Sequence, residues 1–490
     1  MRKRSGINII FYLLFFIILT AAFYIRIYNL GVRSLWLDEA WVANAVIQYD
    51  LSHLVKRALT APLFFVLSIH YLTIVLGKTE FVLRLLPCLF GIGTLILFFL
   101  LIRRITGKTA TLITLLMLSF SYQFIHYSKQ LKQYSAAMFF TLLLIYFCEK
   151  IVISNKNKDW VFFSLFCILG VGFDHSILFI VPTVFAVLLL NIPFKYYWKR
   201  IVYSGIFVFT FSFLFFYFCI LKQISNSIRS IQKYWLSFYP NLSSVSSFFN
   251  WFISSFKKMF YYFDLPFFPI SLLIILLGLS LFYKKSNKRY LIYIIFPLLL
   301  ALIASFLKRY PFGGSRLMLF FAPLLYFAFG NGLNFILEKL NRNKLHLPLI
   351  CTVIFLSISP VSNFVQTFTH PLRLEETRPL LNEIRKYIQP RDKIYVYYGA
   401  KAAFEFYYRT KFYEMIETRN IIWGKPHRGN IPEYSSDLNK YLSKNTRIWV
   451  IFSHFRENER ASIISSIKQR GKLLRAFHNI GTIAYLFKIQ

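Results

Sequence analysis

The chain has 490 residues, of which 57% are hydrophobic and 20% aromatic, and its mean hydropathy is +0.53. Soluble proteins of this length are not this apolar. The formal net charge of +37 is compatible with nucleic-acid binding, but most basic residues fall in short loops between apolar runs. That is the pattern of topology signals in membrane proteins, so we predict no nucleic-acid partner. The five cysteines show no metal-like or disulfide spacing.

Continuous apolar runs predict a polytopic helical membrane protein of about eleven transmembrane helices. The first run is too long for a cleaved signal peptide and has no small-residue cleavage site. Basic loops fall on alternate sides if the N-terminus is cytoplasmic. The predicted spans are 7–25, 81–102, 109–125, 135–148, 160–173, 176–191, 201–221, 266–283, 290–307, 317–337 and 345–359. The short apolar segment 61–76 is expected to lie in the membrane interface, with a tilted span as the alternative.

The character of the sequence changes near residue 365. We predict a transmembrane domain over 1–365, with an outer loop at 26–80, and a soluble extracytoplasmic domain over 366–490. The tail carries eleven of the 20 acids. Helical patterns at 380–388 and 461–469 alternate with strand patterns at 394–398, 447–453 and 482–489. The predicted fold class is therefore an all-α polytopic membrane protein with a small C-terminal α/β domain.

An acidic pair, Asp38 and Glu39, follows the first span in a chain with few acids. Acids are costly near a bilayer and tend to stay where they have a task. The alternation of spans puts this pair on the outer face, as it does for the following residues: Asp50, Asp174, His175, Lys129, Gln130, Lys132, Tyr134 and Arg316. Carboxylates and cations in one cavity suit a reaction on a phosphorylated lipid. A carboxylate can serve as base or metal ligand, and cations can neutralise a departing phosphate.

Several segments resemble the membrane glycosyltransferases of the C-type fold (GT-C), in particular the protein-mannosyltransferase and aminoarabinose-transferase branch, glycosyltransferase family 39, and its bacterial relatives. The matching segments are NLGVRSLWLDEAW (29–41), APLFFVLSIHYLTIVLGKTEFVLR (61–84), HYSKQLKQYS (126–135), DH (174–175) and YPFGGSRLMLFFAP (310–323). The resemblance extends over about residues 5–360. It rests on the order of these segments and on their predicted location on the same side of the membrane. It implies that the first-loop aspartate acts at the reaction centre and that the donor is a sugar on a polyprenyl phosphate.

The resemblance implies a catalytic role for Asp38. Glu39, its neighbour in the acidic pair, is also predicted to be catalytic, as a ligand or as an orienting partner. The expected substrate-binding residues are Lys129, Gln130, Lys132, Tyr134, His175 and Arg316. Lys129 and Lys132 contact either the donor phosphate or phospholipid head groups. Arg316 follows two glycines, which let a backbone approach a ligand.

No cofactor is certain from the sequence, and a divalent metal ion stays open. Relatives often carry a second carboxylate near the end of the third span, where this chain has the neutral Gln130. The metal ligands would then be Asp38, Asp174 and His175, or Asp38 works without a metal.

The expected function is transfer of a sugar from a polyprenyl-phosphate-linked donor to an acceptor hydroxyl of a lipid, a glycan or a protein. Attack opposite the leaving phosphate would invert the anomeric configuration. We expect the enzyme in the bacterial inner (plasma) membrane, in contact with membrane lipids and active in cell-envelope glycan biosynthesis. The alternatives are a flippase or carrier for a lipid-linked sugar, which performs no transfer chemistry, and a polysaccharide polymerase or ligase.

Overall fold

A computed structural model describes residues 2–48, 61–221, 232–284, 287–415, 417–427 and 430–490. Asp50, one of the predicted outer acids, lies outside these ranges. The helices up to residue 370 are α1 (Arg2–Ile27), α2 (Leu37–Gln48), α3 (Leu63–Leu76), α4 (Glu80–Ile102), α5 (Lys108–Ser119), α6 (Tyr122–Ser128), α7 (Tyr134–Ser154), α8 (Asn157–Phe173), α9 (Ile177–Asn191), α10 (Phe194–Phe215), α11 (Val245–Tyr262), α12 (Phe268–Lys284), α13 (Lys288–Phe306), α14 (Ala322–Arg342) and α15 (His346–Thr369).

Each predicted span overlaps at least one of these helices. Among the described residues, seven helices are long and apolar enough to cross a membrane, or eight if the bent pair α5 and α6 is one span. The protein is thus an integral membrane protein of mainly helical fold, as predicted. The count of about eleven spans stays a prediction, as does the interfacial position of α3, which is one of the shorter apolar helices.

A residue from a distant part of the chain caps α6 at the bend between α5 and α6. The two helices meet at 56° across Phe120 and Ser121. The carboxylate of Asp264, which follows α11, accepts a hydrogen bond from Ser121 Oγ at 2.6 Å and from the first backbone N–H groups of α6. A carboxylate in this position satisfies N–H groups that have no partner inside the helix. Asp264 therefore acts as a helix cap supplied from a distant part of the chain.

The chain divides into two compact units, and each is built from separate stretches. The helical unit comprises Met1–Tyr28, Val55–Ser68 and Arg84–His370, and the α/β unit comprises Asn29–Leu54, Ile69–Leu83 and Pro371–Gln490. Part of the predicted outer loop thus belongs to the same unit as the tail. The domain boundaries that we drew at 365 and 366 stay a prediction.

Small residues and a satisfied acid shape the core of the helical unit. Gly278 of α12 and Gly332 of α14 lie so close to the facing backbone that a Cβ at either position would collide with a carbonyl group. Such close approach at small residues is common where helices pack in membranes.

The buried carboxylate of Glu149 accepts from Arg289 Nε at 2.8 Å and from the Tyr293 hydroxyl at 3.1 Å, so its charge is compensated.

The tail forms a five-stranded mixed sheet in the order β2-β1-β3-β5-β4. Its strands are β1 (Lys393–Val396), β2 (Ile421–Trp423), β3 (Arg447–Ser453), β4 (Gly471–Asn479) and β5 (Thr482–Ile489), and its helices are α16 (Thr377–Arg385), α17 (Lys401–Tyr407), α18 (Ile431–Asn439) and α19 (Glu457–Lys468). The pairs β1–β2 and β1–β3 are parallel, whereas β5 runs antiparallel to β3 and β4. The predicted α/β character is confirmed.

Candidate active site

The acidic pair lies at the beginning of a helix, although the sequence suggested a loop. Asp38 and Glu39 are in the first turn of α2, where the helix dipole favours negative charge. The Asp38 side chain is partly exposed. Glu39 is fully buried, and its carboxylate lies 3.6 Å from the guanidinium of Arg33. The two acids therefore have different environments, one open and one enclosed beside a cation.

The α/β unit holds the beginning of α2 through Glu375. This carboxylate accepts the backbone N–H of Leu37, the residue before Asp38, at 3.0 Å. The same oxygen accepts from Ser453 Oγ at 2.9 Å, and the other oxygen lies 3.0 Å from His454 Nδ1. An ionised acceptor makes stronger hydrogen bonds than a neutral one. Glu375 thus links the end of β3 to the turn that carries Asp38.

Further contacts from the tail fix the residues just before Leu37. Ser34 donates its hydroxyl to Glu376 at 3.1 Å and accepts the backbone N–H of Arg378 at 3.1 Å. The backbone N–H of Leu35 donates to the Tyr407 hydroxyl at 2.8 Å. None of these supporting residues of the tail is predicted from the sequence. A signal was present, because Glu375 and Glu376 are the second adjacent acidic pair of the chain.

Two more groups near this segment are notable. The carboxylate of Glu80, at the beginning of α4, is buried and accepts from Arg378 Nη1 at 2.6 Å and from Lys411 Nζ at 2.8 Å. Arg378 therefore bridges this acid and the Ser34 turn. The indole N–H of Trp36, two residues before Asp38, is enclosed and has no hydrogen-bond partner among the described residues.

Tyr134 and Arg316, both predicted site residues, lie together in the helical unit. The guanidinium of Arg316 is 5.8 Å from the ring centroid of Tyr134 and 5.9 Å from that of Trp235. The Tyr127 ring packs edge-on against Tyr134 at 5.1 Å, and the hydroxyl groups of Tyr127 and Tyr262 are 2.7 Å apart. Two aromatic faces thus orient the cation.

The glycines before Arg316 serve a packing role that the sequence analysis did not foresee. Gly313 adopts a φ of +119°, which favours glycine. A Cβ on Gly314 would collide with the backbone carbonyl of Lys258 in α11. The space beside this backbone is therefore filled by a helix of the same unit, and the glycines set the position of Arg316 by letting α11 approach.

The predicted site residues at 129–132 are largely enclosed. Lys129 donates its ammonium group to the carbonyls of Ile25 at 3.0 Å and Tyr28 at 2.6 Å, which lie where α1 ends and carbonyls lack helical partners. The Gln130 amide lies 2.6 Å from His126 Nε2. Lys132 is buried, with 8% of its surface exposed. The contacts of Lys129 favour a role in holding α1.

Asp174 and His175 form a tight turn before α9. Asp174 Oδ1 accepts the backbone N–H of Ser176 at 2.8 Å and its hydroxyl at 2.5 Å. Burial raises the pKa of Asp174 to about 6, although the hydrogen bonds from Ser176 oppose this shift. Burial lowers the pKa of His175 to about 4, so its ring is neutral at pH 7. Its Nε2 is enclosed without a hydrogen-bond partner in the described part of the chain.

The described residues do not form a clear metal site. No group of three or more His, Cys, Asp or Glu side chains among them is arranged to hold a metal ion. Asp174 Oδ1 already accepts two hydrogen bonds from Ser176. The metal set of Asp38, Asp174 and His175 therefore stays a prediction.

Comparison with solved structures shows the class of fold. The chain matches the crystal structure of ArnT from Cupriavidus metallidurans in the apo state, with a TM-score of 0.53 and 10% identity over 99% of this chain and 98% of that chain. The structure of ArnT from Cupriavidus metallidurans bound to undecaprenyl phosphate matches with a TM-score of 0.55 and 11% identity over 98% of each chain. The chain therefore shares the fold of these ArnT structures.

A family model gives the second finding. Residues 60–229 match the model described as dolichyl-phosphate-mannose-protein mannosyltransferase. A search of curated proteins by sequence finds no match. The resemblance predicted from the sequence is confirmed, and these findings support an enzyme class, the glycosyltransferases that use lipid-linked donors.

Proposed function

We propose that this protein transfers one sugar from a polyprenyl-phosphate-linked donor to an acceptor hydroxyl on the extracytoplasmic face of the membrane. The observation that carries the proposal is a partly exposed aspartate, Asp38, held at a helix N-terminus by the tail in a protein with a C-type glycosyltransferase fold. The undecaprenyl phosphate in the ArnT structure supports a polyprenyl phosphate as the lipid.

Asp38 is the base in the proposed reaction. The acceptor oxygen attacks the anomeric carbon while its proton passes to the Asp38 carboxylate. The bond between the anomeric carbon and the phosphate oxygen breaks, and its electron pair leaves with the polyprenyl phosphate. Attack opposite this leaving group inverts the configuration. Glu39 is buried beside Arg33, which suits an orienting partner better than a second base.

Arg316 is the proposed partner of the leaving phosphate. A guanidinium presents a planar fork of N–H donors that matches phosphate oxygens, and the rings of Tyr134 and Trp235 orient it. Lys132 would add a second positive charge. Lys129 is a weaker candidate than the sequence suggested, because two carbonyls of the first helix and its end accept from its ammonium group.

Reconstitution with labelled donor tests the proposal. Proteoliposomes containing a labelled polyprenyl-phosphate sugar should release polyprenyl phosphate only when an acceptor is present. Asp38→Asn should lower kcat by about 10²-fold or more, the usual contribution of a general base. The matched control is Glu383→Gln, an acid of the tail surface paired with Lys386. Movement of intact donor across the bilayer without release would instead identify a carrier, and near-normal turnover of Asp38→Asn would remove the base.

The proposed orientation has its own test. Ser465 is exposed on α19 of the α/β unit. A cysteine introduced by Ser465→Cys should react with a membrane-impermeant maleimide added outside intact cells or spheroplasts. Labelling that requires cell lysis would place the tail in the cytoplasm and contradict the extracytoplasmic assignment.

A further inference from the structure

A polar groove lies in the helical unit beside the segment that leads to α11. Its volume is about 920 Å³. Its lining is rich in hydroxyl and amide groups, with two aromatic rings and one cation and without an acid among the described residues. Representative lining residues are Ser237, Asn241, Asn250, Ser254, Trp251 and Lys308.

Trp251 lines this groove, and its indole N–H is enclosed. The side chain is buried, with 8% of its surface exposed, and its indole N–H has no partner among the described residues. A buried indole N–H normally has a partner. Ring contacts with Phe248 and Phe312, at centroid distances of 6.0 Å each, hold the indole in place. The groove thus has a fixed indole in its wall.

The groove is connected to Arg316 through a short segment of chain. Leu236 and Tyr239 line the groove, and the preceding residue, Trp235, covers the guanidinium of Arg316. The carbonyl of Phe238 accepts the backbone N–H of Phe312 at 3.3 Å, four residues before Arg316. One wall of the groove is therefore tied to the segment that positions the proposed phosphate partner.

We propose that this groove binds a neutral saccharide unit. Serine hydroxyl and asparagine amide groups both donate and accept hydrogen bonds, as the hydroxyl groups of a sugar require, and an aromatic face suits the apolar face of a pyranose ring. A lipid chain would need an apolar lining, and a phosphate would call for more than the single Lys308. The volume is that of a small-molecule site. Assigning the saccharide to the donor or the acceptor rests on the proposed function.

Direct binding tests the inference without catalysis. The probes are maltotetraose, cellotetraose and mannotetraose, titrated by saturation-transfer NMR against the full chain in lipid nanodiscs. At least one probe should bind, and Trp251→Phe, which replaces the indole in the groove wall with a smaller ring, should weaken binding at least fivefold. Asn250→Ala, at an exposed lining position, should also weaken it. The matched control is Trp198→Phe on α10, whose indole is exposed. Absence of saturable binding for all three probes, or wild-type binding by Trp251→Phe, would overturn the inference.

Two further measurements separate this inference from the proposed function. Asp38→Asn should bind the probe as the wild type does. In the wild-type protein, probe binding without any sugar transfer would retain the groove and reject the transferase. Sugar transfer without probe binding would retain the transferase and reject the groove as a saccharide site. Competition then assigns the source: a probe that raises the KM for the acceptor alone occupies the acceptor position, whereas one that raises the KM for the donor alone occupies the position of the donor sugar.

Discussion

The two units hold their proposed reactive charges in different ways. In the α/β unit, the segment before Asp38 is fixed through its backbone and Ser34, by hydrogen bonds to Glu375, Glu376 and Tyr407. In the helical unit, the Arg316 side chain lies directly over aromatic rings. Asp38 is thus positioned by hydrogen bonds to the residues that precede it. Arg316 is positioned by direct contact of its guanidinium with aromatic rings. Substitutions in the tail should therefore act on Asp38 indirectly, whereas those around Arg316 should act on the cation itself.

Removing the cation should give the largest effect. Arg316→Gln keeps a polar side chain but removes the charge, and we expect kcat to fall about 10²-fold or more, as for other lost donors to a developing negative charge. Arg316→Lys should recover part of this loss, because it restores charge without the planar fork. Donor turnover in proteoliposomes measures both. Arg309→Gln, an exposed cation of the same loop, is the control. Equal rates for Arg316→Gln and this control would contradict the role of Arg316.

Removing a hydrogen bond by which the tail fixes the segment before Asp38 should give the next largest effect. Glu375→Ala removes the acceptor of the Leu37 N–H, and hydrogen bonds to charged groups contribute about 1.5–3 kcal/mol. We expect kcat to fall about tenfold, with little change in the KM for donor. Amide hydrogen exchange at residues 35–40 should quicken. Glu383→Ala is the control on the tail surface, and unchanged exchange in Glu375→Ala would show that Glu375 does not hold this segment.

The ring beneath Arg316 should matter less. Tyr134→Leu removes an aromatic face, and a cation–π contact contributes about 1 kcal/mol, so we expect activity to fall about fivefold. Tyr134→Phe keeps that face and should stay within about twofold of the wild type. Turnover at saturating donor distinguishes the two. A larger loss in Tyr134→Phe than in Tyr134→Leu would assign the role to the hydroxyl rather than the ring.

The smallest effect concerns Asp174 and should appear as a pH dependence of stability. Burial raises the pKa of this carboxyl from 3.8 to about 6 in the folded protein, so folding favours its neutral form. That stabilisation is fully present below about pH 3.8 and is lost as the pH rises through about 6. Asp174→Asn keeps the acceptor for Ser176 without the charge. Its Tm in detergent should therefore gain on the wild type by a few degrees between pH 4 and 7, and a constant difference would contradict the shift.

The sequence predicted best those elements that depend on local pattern. The apolar run 81–102 lies within α4, and the strand patterns at 447–453 and 482–489 coincide with β3 and β5. Strand β4 was not predicted, because it is a largely exposed edge strand with charged residues. The cap at the break between α5 and α6 is Asp264, which lies more than a hundred residues further along. No local pattern reveals such a cap.

The candidate site was predictable in its residue types but less so in its supports. The scarcity of acids singled out Asp38, and the order of segments singled out Tyr134 and Arg316, which the structure brings together. Their roles remain predictions. Contacts such as Leu37 to Glu375 join positions 338 apart in the chain, and a single sequence contains no signal for that pairing. The adjacent acids Glu375 and Glu376 indicate a functional role, but the sequence does not show which residues they contact.

The assembly of the α/β unit from early and late stretches has a consequence for biosynthesis. The turn that carries Asp38 emerges from the ribosome among the first residues, yet its anchors at 375, 376 and 407 are among the last quarter to be made. A nascent or truncated chain can insert its membrane helices without gaining these supports. The acidic turn can therefore gain these hydrogen bonds only after the chain has been synthesised as far as residue 407.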